Sequence, residues 1–304
     1  MIASVLLAVL FSLSDGRPHR VIVGPDEPPE TRRILSEAFP GWEMRDNTCA
    51  FAGDIFVSTQ PWAAKAAWHY GVRNGIVGIH GSDLEGTRNG LKAFLDAYRN
   101  ADGLLEKLPS WVFIEWSQAN RLVQDVNYPS NMLWAKALDA LSDLYERPDF
   151  AVEARGIRET VRRQCWTGEW FCDNAVRSSD GALRLSGECT ETCQYYAFFT
   201  GTARPGTHAE LWRRLTEEFG PRRKERRLYP EIWPANAFIG NFLRLELLSE
   251  AGLGDQVLRE VKGYFLNMAE RTGTLWEHDS PKASCCHGFA SYVGVLLSHC
   301  LNGN

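Results

Sequence analysis

The sequence predicts an α+β protein in two parts: a small α/β domain over residues 18–100, then an all-α domain of helical hairpins over residues 101–304. Three observations carry that expectation. Up to Tyr98, short apolar, β-branched runs alternate with helical stretches. Asp102-Gly103 and Pro109 then punctuate the chain as a linker. From Ser110 onward, seven helical segments follow one another with alternately short and long connections, the pattern of paired helical hairpins. A chain of 304 residues is long enough for two such domains. Its composition, 44% hydrophobic and 23% charged, supports a packed core.

Residues 1–17 are expected to lie outside the folded part, as a signal peptide or a disordered start. Ile2 to Phe11 is an apolar run of ten residues, too short to span a bilayer. It is similar to a signal-peptide core, with Ser12-Leu13-Ser14 as the cleavage site. No Lys or Arg precedes it, so a buried first strand and the start of a truncated gene model stand as alternatives. The signal reading implies a secreted or periplasmic protein, the others a cytoplasmic one. No other segment is apolar over a membrane-spanning length, and no membrane partner is expected.

Arg20-Val-Ile-Val-Gly24 reads as a buried strand, and Pro28-Pro29 opens a helix to about Phe39. Asp54-Ile-Phe-Val-Ser58 reads as a second strand. Residues 69–73 and 76–80 flank Asn74-Gly75, the strongest short-range hairpin signal. A helix over residues 84–98, capped by Asp83, puts Leu91, Phe94 and Leu95 on one face.

In the second part, residues 130–145 carry Leu133, Trp134, Ala137, Leu138, Leu141 and Leu144 at helical spacing. Residues 150–165 follow. Residues 190–199 end at Gly201, and 208–219 end at Gly220-Pro221. Residues 236–250 stop before Gly252, residues 255–269 are capped by Asp255, and residues 288–300 are nearly all apolar. The segments do not repeat one another closely enough to make an array.

The long connections hold the residues that can do chemistry. They are Trp111-Val-Phe-Ile-Glu-Trp116, Trp166-Thr-Gly-Glu-Trp-Phe-Cys172, Ser186-Gly-Glu188, Tyr229-Pro-Glu-Ile-Trp-Pro234 and Thr274-Leu-Trp-Glu277. Loops that collect aromatics and carboxylates are how a helical scaffold presents a sugar cleft. The stretch from Arg271 to Leu297 is central. Glu277 sits beside the ring of Trp276, and His287 stands ten positions on, at the mouth of the last helix. An aromatic face packs on a sugar's C–H face, while a carboxylate activates water. The plain alternative is a core Trp and a surface Glu. Eleven Trp fit either use.

With 33 basic against 38 acidic residues the net charge is −5, which argues against a nucleic-acid partner. The basic cluster Arg222, Arg223, Lys224, Arg226 and Arg227 reads as a solvated loop, with an anion site as the alternative. The eight Cys read as buried free thiols. A zinc site using some of them with His287 or Glu277 is the alternative, but the paired Cys-x2-Cys spacing of structural zinc is missing. No metal and no cofactor are expected.

Residues 67–98 resemble the small α/β domain that precedes the catalytic domain in hexosaminidases and α-glucuronidases, with Asp83, Gly86 and Gly90 as the matching residues. That resemblance implies no chemistry in this part. From about Asp102 to the end, the chain resembles the catalytic domain of α-L-rhamnosidases, the six-hairpin glycosidases. Phe113-Ile-Glu-Trp116 is similar to the family's Phe-x-Asp-Trp. Gly187-Glu-Cys-Thr-Glu-Thr192 is similar to its Ser/Thr-Glu/Gln region. Gly273-Thr-Leu-Trp-Glu277 is similar to Thr-Thr-x-Trp-Glu, and Ser284-Cys-Cys-His287 to the closing Ser-x-x-His. The resemblance implies part of an (α/α)6 toroid, incomplete in this chain, that hydrolyses a terminal deoxy-sugar with inversion. It implies Glu277 as general base, Trp116 and Trp276 as walls of the sugar site, and His287 as a partner of sugar hydroxyls. Glu115, standing where the family has Asp, is implied in substrate binding, with a helix-entry carboxylate as the alternative. Glu188 reads as a charge at a helix N-terminus.

One departure bears on activity. Inversion needs a second carboxyl group as acid. In the family this lies in an Arg-Asp-Glu-Arg loop. The similar run here, residues 45–54, has Asn47 at that place and also reads as part of the α/β domain. The functional expectation is therefore a rhamnosidase-type glycoside hydrolase acting on carbohydrate. A non-catalytic carbohydrate-binding relative is the alternative. A third reading uses Cys285, Cys286 and Glu277 as a metal–thiolate site, as in arabinofuranosidases with a Cys nucleophile.

Overall fold

A computed structural model of the chain describes residues 20–23, 29, 32–33, 43–46, 55–59, 68–73, 76–82, 93, 97–108, 112–145, 148–236 and 239–302. The chain divides into two compact units, Met1–Arg99 and Asn100–Asn304. The protein is α+β.

The first unit holds one five-stranded sheet. Its strands are β1 (Arg20–Val23), β2 (Glu43–Asp46), β3 (Ile55–Thr59), β4 (Trp68–Arg73) and β5 (Ile76–Gly81), in the order β2-β1-β3-β5-β4. β1 pairs in parallel with β2 and β3, and β3 with β5. Only β4 runs antiparallel, to β5. Its register ends at Arg73 opposite Ile76, so two residues, Asn74 and Gly75, separate the strands, as the hairpin signal requires. β2 was not foreseen. It places Arg45 and Asp46 opposite Ile22 and Val23, so the start of the 45–54 run is sheet. Of the two helices expected here, residues 29, 32, 33 and 93 are helical, and the remainder lies outside the described residues, as do residues 1–19 and the cap Asp83.

The second unit is helical. Its helices are α1 (Gln118–Arg121), α2 (Tyr128–Tyr145), α3 (Pro148–Cys165), α4 (Glu191–Phe199), α5 (Ala209–Glu217), α6 (Arg223–Arg226), α7 (Ile239–Glu250), α8 (Gly254–Thr272) and α9 (Val293–Asn302). A 3₁₀ turn over Gly288–Tyr292 leads into α9. α2, α4, α7 and α9 pack side by side in that order, while α3 lies against α2, and α8 against α7 and α9. Burial follows this plan. α4 buries every residue from Glu191 to Phe198, and α7 buries Ile239, Leu243, Leu245, Leu247 and Leu248. α3 and α8 bury one stripe each, with Ala154, Ile157 and Val161 on the first and Val257, Phe265 and Met268 on the second. A helix buried all round belongs to an inner row and a striped one to an outer layer. No described helix is long and apolar enough to cross a membrane.

Several local expectations need correction. Asp255 lies in the first turn of α8, and the capping position is Leu253. Residues 288–300 split into the 3₁₀ turn and α9. The basic cluster is not simply a solvated loop: Arg223 is only 4% exposed in α6. Its guanidinium donates to Glu191 at 3.1 Å and to the carbonyl of Tyr229 at 2.6 Å. Glu191 is buried in α4, and a buried carboxylate demands such a partner. Glu188 precedes the strand β9 (Cys189–Thr190) instead of standing on a helix. β9 pairs in parallel with β10 (Ile232–Trp233). A further small sheet, β6 (Val126–Asn127), β7 (Asn174–Arg177) and β8 (Leu183–Leu185), was also unforeseen.

Cys165, Cys172, Cys189 and Cys193 are buried free thiols, with Cys172 and Cys189 sulfurs 3.5 Å apart. Cys285 and Cys300 are half-buried and Cys286 is exposed. Cys49 lies outside the described residues.

Candidate functional site

The Glu277 segment is set by how α8 ends. Gly273 takes the left-handed conformation (φ 69°) and its N–H returns to Ala269, which stops the helix. The chain then folds back on itself. The N–H of Glu277 donates to the Ser284 carbonyl, and that of His287 donates to Leu275, both at 2.9 Å. Thr274 Oγ1 donates to the Cys285 carbonyl. These bonds bring two residues ten positions apart together: His287 Nε2 stands 4.0 Å from Glu277 Oε1. Both side chains are partly open, at 27% and 20%. At 4.0 Å they are not bonded to each other. An oxygen about 2.8 Å from each can sit between them, which is the geometry for holding a water or a sugar hydroxyl. The Glu277 carboxylate accepts no hydrogen bond from the described residues, so its lone pairs stay available.

Trp276 does the opposite of what the resemblance implies. Its ring is 1% exposed and packs among Leu245, Leu248, Val257, Phe265, Met268 and Leu296. Its Nε1 donates to Thr272 Oγ1 at 2.8 Å, and the Arg271 guanidinium lies 5.1 Å from the ring. No face is left for a sugar. Trp276 is a core anchor, and alternation along the segment turns its neighbour Glu277 outward.

Glu115 also moves from the substrate list to the frame. It is fully buried. Its carboxylate accepts hydrogen bonds from Thr192 Oγ1 at the start of α4 and from the Gly240 N–H at the start of α7. A Cβ on Gly240 would come 2.7 Å from Glu115 Oε1, so the glycine is what lets the backbone approach. Burial raises the Glu115 pKa to about 7, opposed by the hydrogen bonds from Thr192 and Gly240. Asp173 behaves alike: sealed behind the N–H and hydroxyl of Thr190, it is pushed by burial to about 8.

Trp116 stays a candidate for sugar contact. It is 39% exposed, with Phe113 edge-on at 5.0 Å. A buried amide joins its loop to the Glu277 loop. Asn236 Nδ2 donates to the Trp116 carbonyl at 2.5 Å, and Asn236 Oδ1 accepts from the Asp279 N–H at 3.0 Å. Sequence reasoning missed Asn236, because its partners lie 120 and 43 positions away. It also missed the pairing of Trp233 with Glu188. Trp233, 43% exposed, donates from Nε1 to Glu188 Oε2 at 2.7 Å, held there by the β9–β10 pair. The loops ending at Trp116, Glu188, Trp233 and Glu277 therefore meet through Glu115 and Asn236. Among the described residues, no group of three His, Cys, Asp or Glu could hold a metal ion.

Two solved structures share this fold. A GH78 family rhamnosidase of Bacillus sp. GL1 matches with a TM-score of 0.55 and 19% identity, over 70% of this chain and 23% of that one. A rhamnosidase from Klebsiella oxytoca with rhamnose bound matches with a TM-score of 0.51 and 15% identity, over 72% of this chain and 41% of that one. The chain thus spans less than half the length of either structure. No family model matches the sequence, and neither does any curated protein.

Proposed function

We propose that the chain is a glycoside hydrolase of the α-L-rhamnosidase type. It acts on a terminal deoxy-sugar with inversion, and Glu277 deprotonates the attacking water. One observation carries this reading: an unengaged, partly open Glu277 carboxylate stands 4.0 Å from His287 Nε2. A base must be within reach of the proton it takes and must not already be spent on the protein. His287 holds a sugar hydroxyl beside the water, and Trp116 offers an exposed indole for the sugar's C–H face. The row of inner helices with outer partners supports reading the second unit as part of an (α/α)6 toroid. The two rhamnosidase structures that share the fold support the choice of sugar. In this reading the first unit is an accessory α/β domain without chemistry of its own.

A second reading, a sugar-binding relative without turnover, is favoured by the fate of Glu115. Fully buried, it is not available to protonate a leaving group. Aryl α-L-rhamnosides with activated leaving groups separate the two readings, because a good leaving group departs with little help from an acid. The test is release of aryl alcohol by the full chain from an α-L-rhamnoside, beside a panel of other aryl glycosides, for the native protein and Glu277→Gln. Hydrolysis confined to the rhamnoside and abolished in Glu277→Gln is the expected result. Binding of rhamnose with no release from any substrate overturns the hydrolase in favour of the binding relative.

A further inference from the structure

Four buried thiols have no role in the chemistry proposed above. Cys165 ends α3, Cys172 follows in the next loop, Cys189 lies in β9 and Cys193 in the first turn of α4. Among the described residues they do not converge as metal ligands. Two of them are in contact. The sulfurs of Cys172 and Cys189 lie 3.5 Å apart, one thiol donating to the other. Cys193 instead points its thiol at the Cys172 carbonyl, 3.7 Å away. Cys165 and Cys193 are fully buried, whereas Cys189 keeps 7% exposure beside the half-buried Glu188.

The backbone around the pair is already tied. The Asp173 N–H donates to the Glu188 carbonyl at 3.0 Å. The Thr190 N–H and hydroxyl donate to the Asp173 carboxylate at 2.6 and 2.8 Å. These bonds hold the residue after Cys172 against the residues on both sides of Cys189. Bringing the two sulfurs from contact to bonding distance takes about 1.5 Å, a movement that side-chain rotation supplies. The pair is also chemically unequal. The hydrogen bond from Cys189 lowers the pKa of Cys172, against the effect of burial, so Cys172 is the sulfur that more readily becomes a thiolate.

We propose that Cys172 and Cys189 are an oxidation site, a dithiol that a peroxide closes to a disulfide within the folded protein. The Cys172 thiolate attacks one peroxide oxygen, the O–O bond breaks and hydroxide leaves, which gives a sulfenic acid on Cys172. The Cys189 sulfur then attacks the Cys172 sulfur. The S–O bond breaks, the S–S bond forms, and the departing hydroxide takes the Cys189 proton. Two thiols and one hydrogen peroxide become one disulfide and two waters, with both sulfurs oxidised and both peroxide oxygens reduced. Hydrogen peroxide is small enough to enter at Cys189, where a bulky thiol reagent is not. The link pins β9 to the loop after α3, and so fixes the segment that carries Glu188 to Trp233. It stands whether or not the chain cleaves a sugar.

The experiment uses the full chain carrying Cys286→Ser, so that the exposed thiol does not link two copies. The reduced protein is treated with hydrogen peroxide, its remaining thiols are alkylated after unfolding, and fragment mass spectrometry locates any S–S bond. A Cys172–Cys189 link is the expected result. The bond spans 17 positions of chain, and the oxidised protein is expected to melt about 6–12 °C above the reduced one. Dithiothreitol returns the melt to its reduced value. Adding Cys189→Ser removes the link and the rise in Tm, whereas adding Cys193→Ser keeps both. Where a variant fails to fold, the fragment spectrum and the reversible melt of the parent decide. No link, a link between other cysteines, or a Cys172–Cys189 link that leaves Tm unchanged or lowers it overturns the proposal.

Discussion

Glu115 makes the sharpest physical prediction, because its environment opposes its charge. Burial lifts its pKa from an ordinary 4.5 to about 7. The folded state therefore binds a proton that the unfolded chain has already released. The resulting stability is fully present below about pH 4.5 and is lost as pH rises through about 7. A difference of about 2.5 in pKa, at about 1.36 kcal/mol for each, comes to about 3 kcal/mol. In a domain of this size that is about 6–12 °C in Tm. Glu115→Gln keeps the shape and an acceptor for the Gly240 N–H, and removes the ionisation. Its Tm relative to the native protein should rise by about 6–12 °C between pH 4.5 and pH 8, read from thermal melts in matched buffers. Asp173, raised to about 8 by burial, titrates in both proteins and cancels from the difference. A Tm difference that stays constant across this range would refute the account of Glu115 as a sealed frame carboxylate.

Other expectations follow from the same geometry. Trp276→Ala should cost about 3–5 kcal/mol of stability in denaturant melts, whereas Trp116→Ala should melt near the native temperature and lose rhamnose affinity. Gly240→Ala must place a Cβ 2.4 Å from that of Ala235, and should destabilise by about 1–3 kcal/mol. Arg244→Met leaves Glu260 buried without its partner and should cost about 3–5 kcal/mol, much of it recovered by adding Glu260→Leu. In native thiol titration Cys286 should react first, and Cys165, Cys172, Cys189 and Cys193 only on unfolding.

What was legible in the sequence followed local periodicity. The Asn74-Gly75 hairpin and the inner helices α2, α4 and α7 were visible because hydrophobic spacing and turn chemistry act over a few residues. The Asp180-Gly181 turn between β7 and β8 carried the same signal, with Gly181 at φ 82°, and was overlooked among polar neighbours. β2, Glu-Met-Arg-Asp, has no strand-like composition and exists through its pairing with β1. The candidate site divided in the same way. The closeness of Glu277 and His287 followed from a short loop. The fates of Trp276, Glu115 and Arg223 depended on burial, which distant helices decide. A Trp beside a Glu looks the same in a sequence whether the ring meets a sugar or Met268. Asn236 had no sequence signal at all, since an asparagine before a helix is unremarkable until its partners are known.

The central claim is that Glu277 serves as the base, and chemical rescue tests it most directly. Glu277→Ala is assayed on an activated aryl α-L-rhamnoside with and without azide, a nucleophile that needs no deprotonation. The account predicts loss of turnover in the variant. It predicts recovery with azide, giving a rhamnosyl azide of inverted anomeric configuration. Turnover by Glu277→Ala at the native rate without azide would contradict it.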